Sequence, residues 1–274
     1  MDSSLRFVPL PASLDALRDQ AQALTRRAHT PFSDTPTAAV LLLDDGTWIP
    51  GVRVESASYS LTLPALLNAY TTAVAAGRGP DVEAFVLSRP FRREEAVYVE
   101  ELSHGPFEAQ AADVWLRGTT GPDGNLPTPT DAFDPYVDAA LSTEEEGVQH
   151  ARRLAEGAYV PSSNFPVGAL LELDDGRFLP GVNVEHPDWA RILCAERNAV
   201  GTAQSYDAGP IRRLFLTCPE DPDGTPCGAC RQLLAELAPD AELWMDRHDD
   251  APEHATLSAL LPGSFRGRAL LDAH

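Results

Sequence analysis

An internal repeat constrains the fold of this chain more than any other feature of its sequence. Residues 31–86 align with residues 161–216 without a gap, at a constant offset of 130 positions, and 23 of the 56 aligned pairs are identical. The clearest block pairs LLLDDGTWIPGVRVE (41–55) with LELDDGRFLPGVNVE (171–185). Self-similarity at a fixed offset marks a duplicated structural unit. The sequence therefore predicts two copies of one domain.

A segment of turn-forming residues separates the two copies. Residues 118–135, GTTGPDGNLPTPTDAFDP, are rich in Gly, Pro and Thr, which is typical of a linker. We therefore predict a first copy at residues 1–130 and a second copy at residues 131–274.

The two copies share one order of elements: a helix, two strands joined by a DDG turn, a second helix and a further strand. The predicted strands are Ala38–Leu43, Trp48–Glu55 and Ala84–Leu87 in the first copy, and Gly168–Leu173, Phe178–Glu185, Arg213–Thr217 and Glu242–Met245 in the second. The predicted helices are Leu14–Ala28, Pro64–Ala76, Thr143–Ala158, Cys194–Tyr206 and Cys227–Leu237. Alternating strands and helices predict an α/β fold. We expect two tandem three-layer α/β/α domains, each with a central mixed sheet flanked by helices.

Charge and hydropathy restrict the partners of the chain. Its 274 residues carry a formal net charge of −20, from 41 acidic and 21 basic residues. Such a charge repels phosphate backbones and anionic membranes, so a neutral or cationic small ligand is favoured over a nucleic acid. The sequence has no apolar run of about 20 residues and no basic, apolar start typical of a signal peptide. We therefore expect a soluble, cytoplasmic protein.

All four cysteines, Cys194, Cys218, Cys227 and Cys230, lie in the last third of the chain. Clustered thiols in a reducing compartment indicate a metal or catalysis rather than a disulfide framework. Cys227-x-x-Cys230 at the start of a helix places both sulfurs on one face, and Cys194 at the start of another helix can supply a third. Three such ligands leave zinc an open coordination position for chemistry.

Charged residues next to the thiols extend this prediction. Glu196 follows Cys194 by two positions, and a carboxylate beside a metal-bound water can accept a proton and return it to a leaving group. Helix N-termini lower thiol pKa values and stabilise the thiolates. Arg197 and Arg231 are expected to offset the remaining negative charge by donating to the sulfurs.

Two other interpretations of the thiols stand beside the catalytic one. A structural zinc site needs a fourth ligand, for which Cys218 is the only cysteine left, and Cys218 can equally be a buried apolar thiol. A thioredoxin-like redox pair usually lacks a preceding Cys-Ala-Glu. The combination of Cys-Ala-Glu and Pro-Cys-x-x-Cys favours catalytic zinc, because this is the signature of zinc deaminases.

At these residues the second copy resembles the cytidine deaminase family. The matching runs, in the order and spacing of the family, are SNFPVGALLELDDGRFLPGVNVE (163–185), LCAERNAV (193–200), PCGACRQLLAE (226–236) and LLPGSF (260–265). They cover essentially the whole second copy. The three-cysteine ligand set is similar to the small homotetrameric branch of the family. The two-domain build is similar to the larger homodimeric branch, in which the active copy usually comes first.

The resemblance assigns a role to each matching residue. It implies one Zn²⁺ per chain, in the second domain, held by Cys194, Cys227 and Cys230, with Glu196 moving protons. The implied substrate-binding residues are Phe165 along the pyrimidine ring, Asn183 and Glu185 on the ribose 3′-hydroxyl, Ala195, and Phe265, which the family inserts into a neighbouring subunit's site. Core packing is the alternative for Phe165 and Phe265.

The chain departs from the family pattern in two places. After Glu185 the family commonly reads Asn-Ala-(Ser/Cys)-Tyr-Pro, whereas this chain has HPDWA at 186–190; the first copy keeps the usual pattern better, as ESASY at 55–59. In the first copy, Pro64 replaces the first thiolate and Leu66 the catalytic carboxylate. We expect that this copy binds no zinc in this way.

The resemblance implies a hydrolytic deaminase of cytidine and 2′-deoxycytidine that serves pyrimidine salvage. The expected partner is a nucleoside, with no nucleic acid and no membrane. We also expect a homodimer that forms a pseudo-tetramer, in which Tyr59 either contributes to a neighbouring site or only packs at the interface. The alternatives are a deaminase of another cytosine-containing nucleoside or nucleoside antibiotic, and a non-catalytic nucleoside-binding or scaffold protein with structural zinc.

Overall fold

The structure, a computed structural model, describes residues 12–118 and 126–271. Within these ranges the chain forms two five-stranded sheets flanked by helices, which confirms the predicted α/β fold of two tandem domains. The first copy contains α1 Ala12–Leu24, β1 Ala38–Leu43, β2 Trp48–Val52, α2 Ala65–Ala75, β3 Val82–Leu87, α3 Arg93–Glu100, β4 Phe107–Ala111 and β5 Val114–Arg117. The second contains α4 Glu144–Ala155, β6 Gly168–Leu173, β7 Phe178–Val182, α5 Ala195–Tyr206, β8 Ile211–Thr217, α6 Gly228–Leu237, β9 Glu242–Arg247, β10 Asp250–Thr256, α7 Leu257–Leu260 and α8 Arg268–Leu271.

The DDG turns form where they were predicted. Gly46 and Gly176 adopt φ values of +86° and +84°, which a residue with a Cβ rarely adopts, and each closes a hairpin. The hairpins pair β1 with β2 and β6 with β7, both antiparallel. All residues of β1 and β6 are buried, as expected for central strands covered on both faces.

The two sheets differ in the direction of one strand. Their orders are β2-β1-β3-β5-β4 and β10-β9-β8-β6-β7, and β9 runs parallel to β8. The second sheet is therefore mixed, as predicted. All described pairings of the first sheet are antiparallel, so the expectation of a mixed sheet is wrong there. The reason is the connection: α6 crosses over directly to β9, whereas the chain leaving α3 forms the outer strand β4 first and returns through a tight turn into β5.

Helices cover both faces of the second sheet. A Cβ added at Gly168 of β6 would lie 2.1 Å from the carbonyl oxygen of Ala151 in α4. A Cβ added at Gly181 of β7 would lie 2.2 Å from the carbonyl oxygen of Ala195 in α5. Gly181 pairs with Ala169, so positions 181 and 169 face the same side of the sheet. Because successive residues of a strand face opposite sides, Gly168 faces the other side. Close helix packing at Gly181 therefore places the first turn of α5 directly on the sheet.

The two copies pack through α2 and α5, which lie against each other. The hydroxyls of Thr72 and Thr202, which are 130 positions apart, are 2.7 Å from each other. Asn68 and Asn198 are also 130 positions apart and fully buried, and their side chains bond the backbone of β2 and β7 respectively. Contact between equivalent residues indicates an approximate two-fold axis that relates the copies.

The predicted linker leaves the first copy along its hairpin. The backbone of Phe133 donates to the carbonyl of Trp48 (2.8 Å), and the Trp48 indole donates to the carbonyl of Thr130 (3.1 Å). Four residues further on, Val137 bonds the carbonyl of Phe178 at the start of β7 (3.0 Å). Residues 119–125 of the linker lie outside the described residues. The domain boundary at 130/131 stays a prediction.

Candidate metal and catalytic site

Three thiols converge where α5 and α6 begin. Cys194 and Cys227 are the N-cap residues of the two helices, and Cys230 lies in the first turn of α6. The Cys194 and Cys227 sulfurs are 3.8 Å apart, the Cys227 and Cys230 sulfurs are 3.6 Å apart, and all three lie within 4.8 Å of one another. Tetrahedral zinc with bonds of about 2.3 Å requires sulfurs ~3.8 Å apart. The three thiols therefore fit a zinc ion.

The three thiols differ in how readily they ionise: hydrogen bonds within the group raise the pKa of Cys194 and of Cys230 and favour the thiolate at Cys227. The pKa of Cys227 is lowered by its hydrogen bonds with the Cys194 and Cys230 thiols, and backbone N–H groups at the start of α6 act in the same direction. Cys230 is buried, whereas Cys227 is exposed and Cys194 partly exposed. The group therefore opens to solvent on one side, which leaves room for a fourth, non-protein ligand. Because the ligands of a metal must be deprotonated, metal binding here releases protons.

Cys218 stands apart from this group. Its thiol is buried next to Gly224, and burial raises its pKa to about 12. Among the described residues, Cys218 is not a member of the group of thiols that could share a metal. The interpretation as a four-cysteine structural site therefore has no geometric support, and Cys218 is a buried apolar thiol at the end of β8.

Glu196 lies in the first turn of α5 and is only 3% exposed. Burial raises its pKa to about 7, and the negative charge of Cys227 acts in the same direction, whereas a hydrogen bond from the Cys230 thiol opposes them. The charge of Glu196 in turn raises the pKa of Cys194, so the carboxylate lies close to the thiols. A carboxyl group with a pKa close to neutrality can both accept and donate protons.

The predicted ribose residues sit beside one turn. The side chain of Asn183 accepts from the backbone of Val167 (2.8 Å) and donates to the carbonyl of Phe165 (2.9 Å). Glu185 accepts from the backbone N–H groups of Ser162 (2.7 Å) and Ser163 (3.3 Å). The turn between α4 and β6 thus fixes both side chains.

The other predicted substrate residues differ in exposure. Ala195 is buried at the start of α5, between Cys194 and Glu196. Phe165 is 36% exposed and Phe265 is 54% exposed, so neither packs in the core. The carbonyl of Phe265 accepts from Gln232 of α6 (2.5 Å). No described contact brings Phe265 to the three thiols.

Neither of the two arginines that follow the thiols donates to a sulfur among the described contacts, contrary to expectation. Arg197 donates to the carbonyl of Leu61 in the first copy (3.0 Å), and its Nε is buried without a partner among the described residues. Arg231 instead donates to the carbonyls of Pro226 (2.7 Å) and Leu260 (3.2 Å). The expectation that Arg231 donates to a sulfur is therefore wrong, because nearby carbonyls take up its guanidinium.

Contacts between the copies were missed by the sequence analysis. Glu236 of α6 accepts from the Ser56 hydroxyl (2.7 Å) and from the backbone of Ala57 (2.7 Å) in the first copy. The equivalent segment of the second copy contacts the first copy: His186 stacks on Tyr98 of α3, with ring centroids 4.6 Å apart. The segment after each GV-x-VE strand thus packs on the other copy. The repeat could have predicted these contacts, because the two segments occupy equivalent positions in the two copies.

The first copy holds an ion pair where the second holds its thiols. Pro64 is the N-cap of α2, the position of Cys194 in α5. Arg92 and Glu95 take the N-cap and third positions of α3, as Cys227 and Cys230 do in α6. The buried carboxylate of Glu95 pairs with both terminal nitrogens of Arg89 (2.7 and 2.8 Å). The described residues of this copy include no group of thiol, imidazole and carboxylate ligands for a metal.

Comparison with known proteins agrees with this site. Two family models, both described as a cytidine and deoxycytidylate deaminase zinc-binding region, match residues 141–244 and 4–91. The cytidine deaminase of Halalkalibacterium halodurans is 36% identical over 126 residues, which are 46% of this chain and 96% of that protein. The chain belongs to the cytidine deaminase family. The predicted family and the prediction of an enzyme of this family are thereby confirmed.

Further cytidine deaminases resemble one copy rather than the whole chain. The Mycobacterium tuberculosis protein is 42% identical over 118 residues, which are 42% of this chain and 84% of that protein. The crystal structure of the Burkholderia pseudomallei protein has 34% identity and a TM-score of 0.42, and covers 45% of this chain and 99% of that one. Most of the length of the two curated relatives, 96% and 84%, is thus matched by less than half of this chain, as expected for a duplicated chain.

Proposed function

We propose that the second copy catalyses the zinc-dependent hydrolytic deamination of cytidine and 2′-deoxycytidine, which yields uridine or 2′-deoxyuridine and ammonia. The observation that carries this proposal is the buried Glu196 carboxylate next to three thiols spaced for zinc. A purely structural zinc site has no use for such a carboxylate. The proposal therefore favours an enzyme over a nucleoside-binding or scaffold protein.

Cys194, Cys227 and Cys230 would hold the zinc ion. When bound there, zinc supplies Lewis-acid activation of water for attack on the pyrimidine ring. Glu196 accepts a proton from that water and donates it to N3 of the pyrimidine, which makes C4 more electrophilic. After the hydroxyl group has added to C4, Glu196 takes up the proton of that hydroxyl and passes it to the 4-amino group, so that ammonia leaves and C4 becomes a carbonyl. A pKa near neutrality suits a group that must accept and donate protons within one turnover.

The substrate end of the site is built from the turn between α4 and β6. Asn183 and Glu185 are held by backbone hydrogen bonds, and a carboxylate has lone pairs left for a ribose 3′-hydroxyl. Phe165 is exposed enough to lie along the pyrimidine ring. A neutral nucleoside also suits a chain with a net charge of −20.

The surface supports assembly of two chains. Tyr59 is 87% exposed and Trp189 79% exposed, at equivalent positions of the two copies. Large exposed aromatic side chains are typical of interaction surfaces. We infer a homodimer that forms a pseudo-tetramer with two zinc sites, in which Phe265 completes a neighbouring site and Tyr59 lies at the interface between the chains. No helix among the described residues is long and apolar enough to cross a membrane. Pyrimidine salvage in the cytoplasm is the setting we propose.

Ammonia release from the zinc-loaded protein with cytidine tests this function. We expect turnover by the unchanged protein, and loss of at least about 100-fold in kcat for Glu196→Ala with its zinc content retained. Equal rates in the two proteins would refute the role of Glu196. Binding of cytidine without turnover by the zinc-loaded unchanged protein would instead identify a nucleoside-binding protein.

A further inference from the structure

The first copy keeps a cavity at the place where the second copy has its metal and substrate residues. The cavity measures about 90 Å³, and its wall includes Thr37, Arg53, Pro64 and Ala65. At the offset of 130 positions these residues correspond to Val167, Asn183, Cys194 and Ala195. The duplicated site has therefore lost its thiols without being filled by side chains.

Arginine has replaced the polar and metal-binding groups of this cavity. Arg53 stands where the second copy has Asn183, and Arg92 takes the helix position of Cys227. Arg89 completes a set of three arginines in the wall, alongside two glutamates. The guanidinium group is the side chain best suited to bind the oxygens of a phosphate or carboxylate, because its donors form a planar fork.

These arginines have donors to spare. Within the described part of the chain, Arg53 uses only its Nε, which pairs with Glu55 at 2.9 Å. Arg92 has no carboxylate within ion-pair distance among the described residues. Arg89 is held by Glu95, but its Nε is buried without a hydrogen-bond partner in the described part of the chain. A buried donor without a partner costs free energy that an anion in the cavity would recover.

The size and charge of the cavity narrow the class of ligand. A volume of about 90 Å³ is well below the 300 Å³ or more of a typical small-molecule pocket, so a whole nucleoside does not fit inside. A metal ion is not favoured either, because the three arginines of the wall repel a cation and the buried carboxylate of Glu95 is already paired with Arg89. A phosphate group is compact, and its charge is opposite to that of the arginines.

We propose that this cavity of the first copy, which we call the arginine cavity, binds a phosphate group. The phosphate is either a free ion or the phosphate of a nucleotide whose remainder lies outside the cavity. This site lies outside the proposed deaminase site and needs neither its zinc nor its turnover. The arginine cavity also adjoins a second cavity of about 70 Å³, whose wall includes Arg191 of the second copy. Arg191 follows Glu185 by six positions and donates to the carbonyl of Glu94, so the bound phosphate would lie at the contact between the copies.

Calorimetric titration of the full zinc-loaded chain with inorganic phosphate, at low ionic strength, tests the proposal. We expect saturable binding of one phosphate per chain. Arg92→Gln and Arg53→Asn should each raise the Kd about tenfold, since each removes charge-assisted hydrogen bonds. The matched control is Arg93→Gln, which makes the same change of charge at the next, exposed position outside the cavity wall and should leave the Kd unchanged.

Several outcomes would overturn the proposal: no saturable binding, an equal loss in Arg93→Gln, or displacement of phosphate by excess uridine, which carries no phosphate. Thermal unfolding of each variant checks that it is folded, and binding is read without an activity assay, so a failed deaminase assay leaves this test intact. Titration with uridine 5′-monophosphate distinguishes the two sources. A Kd at least tenfold lower than that of phosphate supports a nucleotide phosphate, and an equal Kd supports the free ion.

Discussion

Cys227 and Cys218 lie nine positions apart in the same copy, yet their sulfurs have different surroundings. Cys227 joins two other thiols at a helix N-terminus, whereas Cys218 is a buried thiol with a pKa raised to about 12. We expect Cys227→Ala to lose the zinc, because two thiols do not replace three. Cys218→Ala should keep one zinc per chain and lose only about 1 kcal/mol of stability. The metal content of dialysed protein is the measurement, and a similar loss from both variants would contradict the assignment of ligands.

For individual residues, the sequence predicted those whose roles follow from their spacing in the motif. Cys194, Cys227 and Cys230 come together because each lies at the start of a helix, a position that the motif itself encodes. The role of Arg231 could not be predicted, because it depends on carbonyls brought near by the fold, such as that of Leu260. Phe265 was predicted from a resemblance, and its contacts with substrate stay a prediction.

Among the elements, the contact between β7 and α5 positions Glu196, the proposed catalytic residue. A Cβ added at Gly181 would lie 2.2 Å from the carbonyl of Ala195, so Gly181→Ala must push α5 away from the sheet. We expect a loss of about 1–3 kcal/mol in stability from overpacking, together with a fall in kcat, since α5 carries Glu196. Gly51→Ala is the matched control, because a Cβ there would lie 2.3 Å from the carbonyl of Ala65 in α2.

Gly51→Ala should destabilise the chain by a similar amount and lower kcat less, because α2 carries neither thiol nor catalytic carboxylate. The measurements are chemical unfolding and steady-state kinetics at a temperature where both variants are folded. An equal fall of kcat in the two variants would show that the position of α5 is not what sets the rate.

The elements inside the repeat could be predicted, and so could the helices that precede each copy of it and, in the second copy, α6 and β9 that follow it. β1 and β6 form at the predicted residues, because hydrophobic runs followed by DDG turns encode them locally. The repeat ends at residues 86 and 216, and α3, β4 and β5 lie beyond it in the first copy, where no strand or helix was predicted. The direction of β5 depends on which strand the chain forms first after α3, a choice that hydrophobic pattern does not encode.

In the whole molecule the two copies form one structure. Thr72 bonds Thr202 across the approximate two-fold axis, and the outer contacts join Ser56 to Glu236 and Tyr98 to His186. These contacts link the first copy to the copy that carries the three thiols, so zinc bound to those thiols should stabilise both copies. We expect removal of zinc by a chelator to lower a single unfolding temperature by about 10 °C, because a ligand at a thousand times its Kd contributes about 4 kcal/mol. Differential scanning calorimetry, with zinc restored as the control, measures this shift. Two transitions, of which zinc moves only one, would mean that the first copy folds independently and that contacts across α2 and α5 do not couple it to the metal.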